Sequence, residues 1–585
     1  MVDTGEEMFA RFVRVAGLAA TLISAAVLRA QTGCEGTPAY SPCEMRFDLP
    51  SGAGDPWEVS LIHVEFRSPH FKTFLMPGYF DGRQMVVRFA PTEGGQWVYK
   101  ITSSLPGLDD KEDTFTTAAS DAPGFVIPAN VHHWATENKQ PHLWFGDVSD
   151  RLAFLPEADF EAKLQNTVQD KFTHLRLQIL GGEEDARRLF PKGRPDPAYF
   201  AELDRRIREV NKRGVVADLV LAANPGVITS LFPDRESRQR LVRYLIARYA
   251  PMNITWEGLG EFEDYPGSRA LLKEIGLDLK KNDPYLHPRS TNARFTSSPL
   301  LGDGWMNFVI SRSTLPGDDD MGSVEHQLYP VPFVGVTTAA RLWNTAMDGQ
   351  YITFEGTKEF EAKNWFDFIA DTRHWELEPF FDVDGGRGIA LEGVEYIVYV
   401  EKPGPPVEVD IEKHNYDVSW FNPFTGQELV QKKYHGEHYT STPPDTAHPW
   451  VLHVSREGRK EHMLRSWYFE SRPLLMQELE QTLEKIPYEI VSPAAEELAP
   501  GKPVPYAVKI KRATRATRTM MYLWTGEIAG GPEGFRVLGT GASGTMQVPD
   551  VLAHSPQTGV LTVRVTAINA NGKAYLLDKL YQLPQ

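Results

Sequence analysis

The chain has 585 residues, which exceeds what one hydrophobic core accommodates and predicts three or four domains. Apolar residues make up 42% of the chain and charged residues 24%, proportions that are ordinary for a globular protein. The formal net charge of −17 argues against a nucleic-acid partner, because an acidic protein has no excess cations to neutralise phosphates.

The first thirty residues have the pattern of a secretory signal. Arg11 and Arg14 precede an apolar run from Ala16 to Leu28, and Ala30 offers a cleavage point. The run is short for a membrane span. We therefore predict a signal peptide at residues 1–30 and a secreted or periplasmic protein, with a retained N-terminal membrane anchor as the alternative.

The chain contains two cysteines, Cys34 and Cys43, which both follow the predicted cleavage site. In an exported protein this pair predicts a small disulfide loop, and two free thiols are the alternative. Because there are no further cysteines and the histidines are not clustered along the sequence, we expect no metal site and no cofactor.

Residues 43–125 consist of short alternating segments separated by turns, which predicts an antiparallel β-sandwich. Trp97 is expected in its core. From residue 126 to 388 the pattern changes to repeated strand-then-helix units, which predicts a parallel sheet. Eight such strands favour a closed (β/α)8 TIM barrel over an open sheet. The predicted barrel strands are 141–147, 172–179, 215–222, one that begins at 253, one around 287–292, 306–311, 333–336 and 351–355.

After residue 389 the pattern returns to short strands. Residues 389–475 predict a small β-sandwich, and residues 487–585 predict a C-terminal immunoglobulin-like β-sandwich. The predicted fold class is therefore a multidomain protein of α/β and all-β parts, in which β-sandwich domains flank a central TIM barrel.

The stretch from Asn253 to Tyr265 carries the strongest functional signal. It begins as an apolar run and ends in the acids Glu261, Glu263 and Asp264, as a buried strand does when it emerges into a cleft. Trp256 followed five residues later by Glu261 resembles the fourth-strand motif of (β/α)8 glycoside hydrolases, in which the final glutamate is the acid/base. Gly260 stands where many of those enzymes have Asn.

Other segments extend this resemblance to apiosidase-like glycoside hydrolases over about residues 45–455. Residues 78–82, 87–91 and 93–97 resemble a β-sandwich domain of unknown function that precedes such barrels. Residues 141–147 resemble their opening strand, and residues 420–426 resemble a collagen-binding-type sandwich that follows them. The resemblance implies a carbohydrate substrate and identifies Glu261 as the proton donor, with Glu263 as its nearest competitor.

Glycosidic bond cleavage needs a second carboxylate, and here the pattern leaves alternatives open. The predicted seventh strand ends in Gly335-Val-Thr-Thr338 without an acid. Glu325 fits if the strand boundary differs, and Glu355 ends the eighth strand. Alternatively, the barrel recruits an unusual acid such as Asp218, or it lacks the nucleophile and is a catalytically silent glycan-binding module.

Several residues are candidates for contacts with the sugar, because they lie on predicted strands or at their ends. We expect Asp147, Gln178 and His287 to donate or accept hydrogen bonds with sugar hydroxyls, and Trp256 and Tyr351 to stack on a ring face. The predicted function is a secreted hydrolase of O-glycosidic bonds in a poly- or oligosaccharide. No motif specifies the sugar, the linkage or the oligomeric state.

Overall fold

The computed structural model describes residues 31–260, 262–265, 267–312, 321–356, 361–459, 488–491, 503–511, 521–529, 535–547, 560–568 and 574–582. The predicted signal peptide and Glu261 lie outside the described residues. Within the described ranges, no helix is both long enough and apolar enough to cross a bilayer.

The N-terminal domain consists of two four-stranded antiparallel sheets with the strand orders β1-β2-β6-β5 and β4-β3-β7-β8. Its core contains Trp97, which is fully buried and packs against Phe74 and Phe89. A disulfide joins Cys34 to Cys43 at the edge of this core. The strands, together with a following hairpin β9-β10, are β1 Gln31–Thr32, β2 Cys43–Asp48, β3 Ile62–Arg67, β4 Thr73–Pro77, β5 Tyr79–Phe80, β6 Gln84–Phe89, β7 Gly95–Ser103, β8 Glu112–Thr117, β9 Val126–Ala129 and β10 His133–Thr136.

Eight parallel strands form the predicted barrel. Their order in the sheet is β15-β14-β13-β12-β11-β18-β17-β16, so sequence neighbours pair and the first strand also pairs with the eighth. The strands are β11 Phe145–Val148, β12 His174–Gln178, β13 Val216–Ala222, β14 Ile254–Leu259, β15 Arg289–Ser290, β16 Val309–Ser311, β17 Phe333–Thr337 and β18 Tyr351–Phe354. The ring is nearly closed. Between the short strands β15 and β16, Asn307 bridges the remaining gap, because its backbone N–H donates to the Arg289 carbonyl and its side-chain oxygen accepts from the Arg289 N–H.

Helices surround the barrel, and their starts follow from the sequence. Asp196 caps the third helix with a hydrogen bond from the Ala198 N–H, and Asp234 caps the fifth with one from the Ser237 N–H. Four shorter helices, α2, α4, α7 and α9, were not predicted from periodicity. The helices are α1 Glu157–Gln169, α2 Glu183–Leu189, α3 Pro197–Lys212, α4 Pro225–Leu231, α5 Arg235–Tyr249, α6 Ser268–Asn282, α7 Met321–Leu328, α8 Leu342–Met347 and α9 Glu361–Ala370.

A buried ionic cluster joins the N-terminal domain to the barrel. Arg88 of β6 donates to Asp204 of α3 at 2.6 Å, and Arg248 of α5 donates to the same carboxylate at 2.8 Å. All three side chains are buried, and the Tyr79 hydroxyl also accepts from Arg88. Because removing one partner from such a cluster leaves an uncompensated buried charge, the cluster fixes the position of the domain against α3 and α5.

An eight-stranded antiparallel sheet follows the barrel. Its long strand β23 pairs with β20 and β25 in its first half and with β26 in its second half, so the sheet folds over a core of its own. The other face packs on the barrel, where Tyr399 stacks on Trp343 of α8. The strands are β19 Glu378–Phe380, β20 Val383–Asp384, β21 Arg387–Leu391, β22 Glu395–Val400, β23 Val407–Phe421, β24 Glu428–Val430, β25 Tyr434–Ser441 and β26 Trp450–Arg456.

Two further antiparallel sheets occupy the described part of the C-terminal region, with the orders β27-β28-β31 and β30-β29-β32-β33. Trp524, Val563 and Val565 are fully buried in their shared core. The strands are β27 Tyr488–Val491, β28 Pro503–Ile510, β29 Met521–Ala529, β30 Phe535–Thr540, β31 Ser543–Gln547, β32 Val560–Ile568 and β33 Ala574–Gln582. The barrel flanked by β-sheet domains confirms the fold class predicted from the sequence.

Candidate active site

A buried arginine organises the carboxyl ends of the barrel strands, which is the face where barrels of this type carry their chemistry. Arg176 of β12 donates from Nε to Glu257 of β14 at 2.9 Å and from Nη1 to Asp150, which follows β11, at 2.8 Å. Arg176 and Glu257 are both buried, whereas the Asp150 side chain is about one-third exposed. The network therefore extends from the barrel interior to its mouth.

Burial and charge act in opposite directions on this pair. Burial disfavours the charged form of Arg176, but Glu257 and Asp150 outweigh it and raise the Arg176 pKa above its ordinary value. Burial raises the pKa of Glu257, Arg176 opposes that rise, and Asp218 adds to it. Glu257 is only 3% exposed, and its bond from Arg176 ties it to the same network.

A second polar layer lies deeper in the barrel. The strand register aligns Asp218 of β13 with Arg176 and with Thr255 of β14. The Asp218 Oδ1 atom accepts from the Thr255 hydroxyl at 2.8 Å and lies 2.8 Å from Nδ1 of His174. Burial raises the pKa of Asp218 to about 7. Asp218 is buried and these interactions are with the barrel interior, so its recruitment as the second catalytic acid stays a prediction.

The rim of the mouth contains a second arginine. Arg312, directly after β16, donates from Nη1 to Glu355 at 2.5 Å and from Nε to the side-chain oxygen of Asn292 at 3.0 Å. Glu355 follows β18, its side chain is 43% exposed, and its backbone N–H donates to the Thr337 carbonyl at 2.8 Å. Glu355 thus lies beside the end of β17. As predicted, β17 itself ends without an acid.

The loop after β14 explains why glycine occupies position 260. The Gly260 N–H donates to the Ala222 carbonyl at 3.1 Å, and a Cβ at this position would collide with the backbone carbonyl oxygen of Ala223. A side chain such as Asn does not fit this backbone without rearrangement. Glu261, the next residue, lies outside the described residues, and Glu263 accepts from the Arg294 N–H at 2.8 Å.

Two of the predicted sugar-binding residues remain near the strand ends. Gln178 is the last residue of β12, lies on the same face as Arg176 and is partly exposed. Asp147 lies on the opposite face of β11 from its neighbours Gly146 and Val148, and its carboxylate pairs with Lys163 of α1 at 2.7 Å. Because that pair is formed with a surrounding helix, the expectation that Asp147 hydrogen-bonds the sugar is wrong.

Three other predicted sugar contacts are also wrong. Trp256 precedes Glu257, so strand alternation turns it toward the helices, where it is fully buried and donates to Asp283. His287 precedes β15 and lies 2.9 Å from the same carboxylate. Tyr351 is the first residue of β18, so it lies at the amino end of the barrel, and its hydroxyl contacts His133.

Glu325 does not end a strand. It lies in α7, ahead of β17, where it is fully buried and accepts from the Ser298 hydroxyl at 2.6 Å. Burial raises its pKa to about 7. The expectation that a different strand boundary would bring Glu325 to the mouth is therefore wrong, because residues 321–328 are helical.

Residues that the sequence interpretation missed form the site's framework. Arg176, Glu257, Asp150 and Arg312 were not predicted, although two signals existed. Arg176 is a charged residue inside an apolar strand, with leucines on both sides, and Glu257 interrupts the apolar run of β14. A charge in a buried strand needs a buried partner, and these two satisfy one another.

A hollow of about 490 Å³ adjoins Glu355 and opens between the barrel and the following sheet. Trp343 of α8, Tyr399 of β22 and Phe424 line it together with Glu355 and Glu401. Phe424 is 42% exposed, so the hollow offers an accessible aromatic surface. Such a mixture of aromatic and carboxylate groups suits a sugar, which has an apolar ring face and polar hydroxyls.

A candidate metal-ligating set occurs elsewhere in the described part of the chain. His132, His326 and Glu378 present ligand atoms that lie within 4.8 Å of one another. The histidines are not clustered along the sequence, but the fold brings together residues that lie far apart in it. This group lies near Tyr351 at the amino end of the barrel, on the side opposite the mouth.

Comparisons with known proteins agree with this architecture. Residues 36–104 match the family model of a domain of unknown function, DUF5060, and residues 129–370 match the model "Apiosidase-like, catalytic domain". No curated protein matches the chain. The first match covers most of the predicted N-terminal sandwich but not its last strand, and the second covers all eight barrel strands.

Two solved structures are similar to the chain at low identity. A candidate glycoside hydrolase from Bacteroides vulgatus ATCC 8482 is 17% identical, with a TM-score of 0.61 over 72% of this chain and 100% of that one. A glycoside hydrolase family 5 protein from the same organism is 14% identical, with a TM-score of 0.49 over 60% of this chain and 97% of that one. The first likeness establishes a common fold.

Proposed function

From the premise that residues 129–370 form an apiosidase-like catalytic domain of glycoside hydrolase type, we propose that this protein hydrolyses O-glycosidic bonds with Glu261 as acid/base and Glu355 as the second carboxylate. The observation that carries the proposal is the position of Glu355. It lies beside the acid-free end of β17, its carboxylate accepts from Arg312, and its side chain remains 43% exposed.

The reaction needs two carboxyl groups in opposite roles. One protonates the leaving oxygen, and the other attacks the anomeric carbon or activates a water on the opposite face of the sugar. Glu261 follows the buried strand β14 and ends the resembling motif, which favours it as the proton donor. Glu355 accepts from the Arg312 guanidinium, which positions its carboxylate at the rim for the opposite role.

The substrate is proposed to be a poly- or oligosaccharide. Gln178 offers an amide at the mouth, and the hollow beside Glu355 offers Phe424 as a platform for a neighbouring sugar unit. Arg176 and Glu257 contribute by holding the floor of the mouth rigid, because both are buried and paired. Rigid support of this kind keeps reacting groups within the tolerance that catalysis needs.

A second candidate function follows from the end of β17. That strand ends in Val336 and Thr337, without the carboxylate that retaining barrels place there. If Glu355 does not replace it, the domain binds glycans without cleaving them. This alternative predicts retention of a glycan on immobilised protein without release of reducing ends.

The test is a panel of plant and microbial polysaccharides assayed for reducing ends with the full-length protein. We expect one glycan to be cleaved, and Glu261→Gln and Glu355→Gln each to lower the rate by about 10²–10⁴-fold, the usual contribution of an acid/base group. Glu392→Gln, an exposed turn residue, is the matched control and should leave the rate unchanged. Cleavage that survives both mouth substitutions would reject the proposal.

We also propose that the protein is exported. Arg11, Arg14 and the apolar run up to Leu28 support a signal segment, and the disulfide between Cys34 and Cys43 suits an oxidising compartment. N-terminal sequencing of the protein recovered outside the cytoplasm would test this, with a new terminus expected near residue 31. An intact N-terminus on membrane-bound protein would favour the anchored alternative.

A further inference from the structure

We propose that His132, His326 and Glu378 bind a divalent cation of the zinc class at the amino end of the barrel, away from the mouth. Nδ1 of His132 lies 3.1 and 3.2 Å from the two Glu378 oxygens, and Nε2 of His326 contacts the Oε2 atom. The three residues come from the turn before β10, from helix α7 and from the first residue of β19.

The hydrogen bond on the far side of the His132 ring fixes its tautomer. Nε2 of His132 lies 3.1 Å from the Tyr329 carbonyl oxygen, which can only accept, so this nitrogen carries the proton. In the neutral ring, Nδ1 therefore has a lone pair, and that lone pair faces the carboxylate of Glu378. Two acceptors at 3.1 Å repel one another unless a proton or a cation lies between them.

A cation held by all three side chains satisfies this arrangement. The rings of His132 and His326 are only 3.9 Å apart between centroids, and His326 is 1% exposed, so both rings lie close to the same carboxylate. One divalent ion accepts a lone pair from each ring and from the carboxylate.

The donor set and its surroundings match zinc chemistry. Two imidazole nitrogens and a glutamate oxygen form a known three-ligand zinc set that leaves a fourth position for water. Tetrahedral bonds of about 2.0–2.2 Å separate ligand atoms by about 3.3 Å, close to the observed 3.1–3.2 Å between His132 and Glu378. The Glu378 side chain is 43% exposed, so solvent reaches the site.

Neighbouring groups orient the ligands, as is usual around bound metals. The Tyr329 carbonyl holds His132, as described above. Nε2 of His133 lies 3.2 Å from the other Glu378 oxygen, and its Nδ1 lies 3.0 Å from the Tyr351 hydroxyl. His133 can thus donate to the carboxylate and keep its second oxygen aimed at the cation. Bound metal would fasten β19, the start of the following sheet, to the base of the barrel.

The experiment uses the untagged full-length protein after chelation and dialysis. Titration with Zn²⁺ by calorimetry should give about one tight site per chain, and Co²⁺ should give a visible absorption band of a tetrahedral site. We expect His132→Ala and Glu378→Gln to weaken binding at least about 100-fold, and His133→Ala, which removes an orienting group, to weaken it about 10–100-fold.

His438→Ala is the matched control, because His438 also pairs with a carboxylate, that of Asp410, but on an exposed strand. This variant should bind Zn²⁺ as the parent does. Circular dichroism of each variant checks that it folds. The proposal is overturned if the parent protein shows neither a tight Zn²⁺ site nor the Co²⁺ band, or if binding survives in folded His132→Ala and Glu378→Gln variants. A parent protein without either signal would mean that protons, and not a metal, lie between His132, His326 and Glu378.

Discussion

Replacing Arg176 with methionine tests the proposed framework of the mouth. Arg176 is 4% exposed and is the charged partner of Glu257, which is 3% exposed. Methionine preserves most of the side-chain volume but removes the guanidinium. Glu257 is then left as a buried carboxylate without its cation, and breaking a buried pair in this way costs about 3–5 kcal/mol.

The stability cost of Arg176→Met should depend on pH in a definite direction. Burial already raises the pKa of Glu257, and Arg176 opposes that rise. Without Arg176 the folded-state pKa rises further above the unfolded value, so folding favours the protonated acid. That stabilisation is complete below the ordinary carboxyl pKa and is lost as the pH rises through the folded pKa. The cost of Arg176→Met should therefore be larger at pH 8 than at pH 5.

Urea titrations of the barrel followed by tryptophan fluorescence at both pH values would measure this cost. Glu257→Gln, which keeps a hydrogen-bonding partner for Arg176, should cost only about 1–3 kcal/mol. The double variant Arg176→Met/Glu257→Met should cost less than Arg176→Met alone, because no buried charge remains. A single variant within about 1 kcal/mol of the parent, or with equal cost at both pH values, would refute the reasoning.

Three further outcomes follow from the described contacts. Burial raises the Asp218 pKa to about 7, so the parent should lose up to about 1.4 kcal/mol of stability per pH unit as the pH rises toward 7. Asp218→Asn should abolish this loss. Parallel parent and variant curves in urea titrations at pH 5, 6 and 7 would contradict the prediction. Trp97→Ala should lower the free energy of unfolding by about 3–5 kcal/mol, whereas the exposed Phe71→Ala should change it by less than about 0.5 kcal/mol in the same assay. Arg312→Ala should lower kcat at least about 10-fold with little change in KM, because Arg312 holds Glu355 and not the substrate. Steady-state kinetics on the cleaved glycan would measure both constants. A change in KM alone would argue for a substrate contact instead.

The barrel was predictable because its strands are buried on both faces. All seven residues of β13 are buried, and a strand-length apolar run between amphipathic helices indicates a parallel sheet. The helices α2 and α9, of seven and ten residues, were not predicted. The collagen-binding-type label of the small sandwich, inferred from residues 420–426, stays a prediction.

Site residues were harder to predict because a one-residue step in a strand reverses the direction of the side chain. Trp256 and Glu257 are adjacent, and only the acid faces the interior. Tyr351 lies on a barrel strand, but at its first residue, so its hydroxyl belongs to the base of the barrel. The metal-ligating group could not be predicted either, since His132 and Glu378 are separated by 246 positions and only the closed ring brings them together.

The central claim, that Glu261 and Glu355 cleave the glycosidic bond together, is tested most directly by the distance between their carboxyl groups in a crystal structure of the barrel. The account predicts about 5–5.5 Å if the anomeric configuration is retained, or about 6.5–9.5 Å if it is inverted. A separation well beyond about 10 Å, or a Glu261 carboxyl group turned away from the mouth, would contradict it.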